Sequence, residues 1–113
     1  MQLANFLKNV RRLARLEARV TRIGTLVERS SAANDTDQVA AFEKETGRRA
    51  AEINFLASRN EADLEDHPEW QSAHDAMRSA VLSGSRGSGE AKAIMAAALG
   101  AGAAAAEPAA ATE

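Results

Sequence analysis

The chain has 113 residues, with two prolines, seven glycines, no cysteine and a formal net charge of -2. That length holds one small domain, and the missing cysteines exclude disulfides, thiolate catalysis and cysteine-based zinc sites. Alanine supplies 27 of the residues behind the 45% hydrophobic content. Alanine favours helix but adds little apolar area, so a helical protein with a thin core is expected, one that depends on contacts with itself or a partner.

The start of the chain, Met1 to Lys8, places apolar residues before positive ones, the reverse of a secretory signal. No stretch approaches the ~18 consecutive apolar residues of a membrane span. A cytoplasmic product, or one held within a larger soluble assembly, is expected, with no signal peptide and no transmembrane helix. Charge is segregated along the chain. Residues 1–31 carry seven basic side chains against Glu17 and Glu28, residues 32–75 carry four basic and eleven acidic groups, and residues 76–113 are balanced. Such blocks suit an external anionic partner, or the folding of one segment against the other.

From Leu3 the large apolar residues recur at 3, 6, 10, 13, 16, 20, 23 and 27, in steps of three or four that mark a helix close to a heptad stripe. A first helix over 3–30 is expected. At about 100° per residue, all seven of its basic residues fall within one arc of roughly 100°. Ser30 to Asp37 reads as a turn, because Ser, Asn and Asp side chains compete for nearby backbone N–H groups. Asp35 followed by Gln38 resembles a helix-starting cap, with Asn34 and Thr36 as alternatives. A second helix is expected over 37–64, with Val39, Phe42, Thr46, Ala50, Ile53, Leu56 or Ala57, Asn60 and Leu64 on its main face. Phe55 points off that face.

Pro68 suits a first helical turn, and a third helix is expected over 68–82, with Trp70, Met77 and Val81 on one side. Together, residues 1–82 form the helical domain. Residues 83–89, Ser-Gly-Ser-Arg-Gly-Ser-Gly, have the composition of a flexible linker. A short accessory helix follows at 90–101, and residues 102–113 read as an Ala-rich tail, disordered from 103. The fold class is all-α: an elongated helical hairpin or three-helix bundle, with a short linked C-terminal helix and a low-complexity tail.

No catalytic pattern is present. Gly84 and Gly89 have the spacing of a phosphate-binding loop, but Glu90 stands where that loop needs lysine and no strand precedes it. Asp63 and His67 share a helical face, a two-ligand pattern too small for a metal site. The expectation is therefore a non-enzymatic protein with no catalytic residue, no metal and no cofactor. Its function is read as protein–protein interaction or assembly, within a homo- or hetero-oligomer. An adaptor, an assembly chaperone, a virion component and a coiled-coil partner all fit that reading. The interface would comprise Leu3, Phe6, Val10, Leu13, Phe42, Phe55, Trp70, Met77 and Ile94. Two alternatives rest on the first helix. Lys8, Arg11, Arg12, Arg15, Arg19 and Arg22 form an anion-binding row suited to nucleic acid. Leu3, Phe6, Leu7, Val10 and Leu13 opposite them give an amphipathic helix suited to an anionic membrane surface.

Overall fold

The computed structural model describes the backbone of residues 2–112 and the side chains of residues 2–100. Four α-helices carry the described residues: α1 (Leu3–Ala32), α2 (Thr36–Asp66), α3 (Gln71–Leu82) and α4 (Ser88–Thr112). Two 3-10 turns, Pro68–Trp70 and Gly84–Gly87, join α2 to α3 and α3 to α4. No strand occurs among the described residues. The radius of gyration is 18.0 Å, against the ~13 Å of a globular domain of about this size, so the molecule is elongated.

The turn between α1 and α2 explains why the long helical pattern breaks where it does. Asn34 takes φ of 57°, a left-handed conformation that asparagine tolerates better than most residues. The Asn34 N–H then donates to the Ser31 carbonyl at 3.1 Å and the Asp35 N–H to the Ser30 carbonyl at 2.8 Å. These two bonds satisfy the last carbonyls of α1 in the Schellman arrangement. Asp35 immediately caps the next helix, its carboxylate accepting from the Gln38 N–H at 3.1 Å. Asp35, rather than Asn34 or Thr36, holds the cap.

α1 and α2 lie antiparallel as a long hairpin, and the core divides along its length. At the base, Ala4, Phe6, Leu7 and Val10 of α1 meet Met77 and Ala80 of α3 and Ala91, Met95 and Ala98 of α4. Leu64 and Trp70 pack against this cluster from the side. Phe6 is its fully buried centre, with the Trp70 ring 5.1 Å away and His67 stacked on Trp70 at 3.8 Å. A second, smaller cluster joins Leu13 and Leu16 of α1 to Leu56 of α2, with Ile53 against it. Beyond it only two helices meet: Ile23 is buried, while Val20, Leu26, Val27, Val39 and Phe42 stay half-buried.

Four expectations change. The α2 face runs Val39, Phe42, Thr46, Arg49, Ile53, Leu56, Asn60 and Asp63, each buried or half-buried, while Ala50 is exposed. This is a seven-residue repeat, and Arg49 fits the seam because its guanidinium reaches Glu45 at 3.0 Å. The third helix begins at Gln71, since Pro68–Trp70 forms a tighter 3-10 turn. Residues 83–89 are not an extended linker. Gly84 adopts φ of 65°, and Gly87 is buried against the Ala80 carbonyl. Ser83 Oγ donates to the Ser79 carbonyl at 2.8 Å, and Ser88 Oγ to the Ser85 carbonyl at 3.0 Å. The helix expected at 90–101 starts earlier, at Ser88, and its backbone continues to Thr112. The side chains of the Ala-rich tail at 102–113 lie outside the described residues.

Candidate interaction surfaces

The basic arc of α1 is split by the packing of α2. Arg12 forks onto Glu52, with Nε and Nη2 donating to the two carboxylate oxygens at 2.8 and 3.2 Å. One heptad on, Arg19 forks onto Glu45 at 2.9 and 3.1 Å. Planar two-point contacts of this kind fix register as well as attract. The Arg19 guanidinium holds the Glu45 carboxyl below the usual carboxylate range, chiefly through their hydrogen bonds, and Arg12 does the same to Glu52. Both arginines are shifted upward in return.

The sign of the pH dependence follows. A carboxyl whose folded pKa is depressed contributes stability above its unfolded pKa and loses it as pH falls through the folded value. Because the Arg12–Glu52 pair is exposed and the Arg19–Glu45 pair only partly buried, their individual contributions are small. Acidification from neutrality to about pH 3 is expected to lower the melting temperature. The Glu45→Gln, Glu52→Gln double variant is expected to show a shallower decline. Circular dichroism melts across that range test this; parallel curves for the two proteins would contradict it.

Lys8, Arg15 and Arg22 remain exposed and make no ion pair among the described residues, and Arg29 continues their row. The four recur every seven residues, so they step along α1 by ~10.5 Å and span ~32 Å. Arg11 leaves the row: it is half-buried and its Nε has no hydrogen-bond partner. Two further exposed cations, Arg48 and Arg59 of α2, flank the same ladder. Arg48 shares a depression with Glu45, Arg49 and Glu52, and Arg59 shares an open groove of about 580 Å³ with Asn5, Lys8, Asn9 and Phe55. The seven-residue spacing of Lys8, Arg15, Arg22 and Arg29 was the available signal for Arg29; the contribution of Arg48 and Arg59 depends on long-range register.

On the other flank, α1 faces α3. Glu17 pairs with Arg78 at 2.7 Å, and at ~100° per residue it lies about 150° round α1 from Arg12 and Arg19. The base helices α3 and α4 therefore cover one flank of the hairpin and leave the cationic flank open.

The expected interface residues divide by burial. Phe6, Val10, Leu13 and Met77 are consumed in the chain's own core, which corrects their assignment as free contact residues. The apolar stripe gives the buried face, and α2, α3 and α4 already occupy it. Leu3, Trp70 and Ile94 are half-buried against the base cluster, and Phe42 is half-buried in the hairpin. Phe55 is exposed over 62% of its surface. The same burial meets Phe6, Leu7, Val10 and Leu13 in the membrane reading, so lipid contact would require opening the base. No helix among the described residues is long and apolar enough to cross a membrane.

The polar groups at the base form local contacts. His67 Nδ1 lies 3.3 Å from Glu69, and His74 Nδ1 lies 2.9 Å from Asp75. His74 and Gln71 hold the Asp75 carboxyl below the usual range. Asn60, only 3% exposed, has neither amide atom hydrogen-bonded within the chain. Among the described residues, no three histidine or carboxylate side chains converge as a metal site. Comparison with known proteins gives no match: no family model, curated protein or solved structure corresponds to this chain.

Proposed function

We propose that the protein is a non-enzymatic assembly component whose hairpin arm pairs with the arm of a second copy. The half-buried seam above Leu16 carries this reading. Ile23 is buried there, but Val20, Val27, Val39 and Phe42 are only half-buried between two helices, without the third and fourth layers that close the core at the base. Two antiparallel hairpins brought together by a twofold axis complete such a seam as a four-helix bundle. The seven-residue repeats on α1 and α2 supply the matching geometry. The flank away from the cationic row favours close approach, because Thr21, Gly24 and Ala50 are exposed and small. An adaptor, an assembly chaperone and a virion component are finer forms of this role.

Light scattering of the full chain across a concentration series tests the pairing. Molar mass is expected to rise from monomer toward dimer, and Phe42→Asp is expected to hold it at monomer. Gly24→Arg separates assembly from folding: nothing lies within 4 Å of a Cβ at that position, so the monomer tolerates the change while the paired arms do not. Trp70→Ala, at the base, should leave pairing intact. A monomer at every concentration, or a dimer indifferent to Gly24→Arg, overturns the proposal.

A further inference from the structure

The open flank of the hairpin combines three features that the base helices leave uncovered. Lys8, Arg15, Arg22 and Arg29 form a cationic row that turns slowly around α1, and Arg48 and Arg59 of α2 border it. The carboxylates in the valley, Glu45 and Glu52, are already engaged by Arg19, Arg49 and Arg12. Six cations consequently remain available on this flank. Phe55 stands exposed in the groove it shares with Lys8, Arg59 and the amide side chains of Asn5 and Asn9.

We propose that this flank binds single-stranded nucleic acid, with the six cations along the sugar–phosphate backbone and Phe55 as the stacking surface for an unpaired base. Phosphate contacts supply affinity without sequence preference, and an exposed aromatic beside them engages the face of any base that is free of its duplex. Asn5 and Asn9 carry amide donors and acceptors at the groove wall, suited to base edges or phosphate oxygens. A lipid surface fits less well. Membrane-surface helices set a broad apolar band beside their cations, whereas the large apolar side chains on this flank are Phe55 and the half-buried Leu26. The binding flank is separate from the small-residue flank invoked for pairing, so failure of one reading leaves the other standing.

Fluorescence anisotropy with the full chain and a labelled oligo-dT strand of about 20 nucleotides is the direct test. Binding is expected at low salt, about 50 mM, with log affinity falling against log salt at a slope of about -3 to -4, from ~0.7 for each of four to six neutralised phosphates. The Arg15→Gln, Arg22→Gln double variant should weaken binding and make the slope shallower by ~1.4. Phe55→Ala should weaken binding roughly tenfold with the slope unchanged. Lys92→Gln, exposed on α4, should bind as the parent does. Each substituted side chain is exposed, and circular dichroism of each variant is the check that helix is retained. Absence of binding at low salt, equal affinity for duplex, or indifference to the Arg15/Arg22 change overturns the proposal. So does retention on phosphatidylserine vesicles that the oligonucleotide fails to compete away.

Discussion

Phe6→Ala is expected to destabilise the protein by about 3–5 kcal/mol, the range for truncating a fully buried phenylalanine. Set against a typical total of ~5–15 kcal/mol for a domain, this removes a large share of the stability. The reason lies in position as well as size. Phe6 is 0% exposed and stands where α1, α3, α4 and the Trp70 turn meet. Those contacts hold together an otherwise small core rich in alanine, including Ala4, Ala80, Ala91 and Ala98. The melting temperature should fall by more than ~10 °C, with loss of the near-ultraviolet signal of Trp70. Phe55→Ala, at an exposed aromatic of the same type, should change stability by no more than ~0.5 kcal/mol. A Phe6→Ala melt matching the parent would refute the core described for the base.

Gly87→Ala is the second large effect, and its sign runs against the usual one. Replacing glycine with alanine in a compatible conformation stabilises by about 0.4–1 kcal/mol through the unfolded chain. Here a Cβ would overlap the Ala80 carbonyl oxygen and stand 2.6 Å from its carbon and 2.9 Å from the Ala80 Cα. Backbone cannot rotate aside as a flexible side chain does. Relief therefore requires α4 to move away from α3, exposing Ala91, Met95 and Ala98. A loss at or above the ~1–3 kcal/mol of ordinary overpacking is expected. Hydrogen exchange should show lost protection in the α3–α4 junction and the first turns of α4. Gly89→Ala, with nothing within 4 Å of its Cβ, should stabilise slightly. Equal behaviour of the two variants would show that the Ala80 contact does not constrain the chain.

Both effects turn on which features were legible before the fold. The hairpin was legible: the three-and-four stepping of α1 and the Asp35–Gln38 cap are local, and local chemistry sets helix starts and stops. The linker reading failed because a glycine serves equally for freedom and for close approach, and the sequence of residues 83–89 does not say which. Ala80, the neighbour that selects close approach for Gly87, lies on another helix. The α2 face runs through Arg49 rather than Ala50, because apolar periodicity favours the alanine and carries no signal that a charged residue fits the seam. The long Arg49 side chain runs along the seam to Glu45, leaving Ala50 exposed.

The candidate surfaces show the same division. The basic arc was visible as a set of seven residues, but its partition into Arg12 and Arg19 against Lys8, Arg15, Arg22 and Arg29 required knowing where Glu45 and Glu52 fall. Phe6, Val10, Leu13 and Met77 are expected at an interface and lie instead in the chain's own core, because a pattern of hydrophobic residues specifies that a face is covered, not what covers it.

By itself the sequence determined an all-helical chain with a capped turn near Asn34 and Asp35, because backbone preference, helical periodicity and capping act over a few residues. Tertiary structure alone decided which arginines are neutralised, which apolar residues are already spent, and that a glycine-rich stretch becomes a tight junction. Those outcomes depend on residues far apart in the chain, forty residues for Arg12 and Glu52 and more for Phe6 and Met95, where only the register of one helix against another selects the contact.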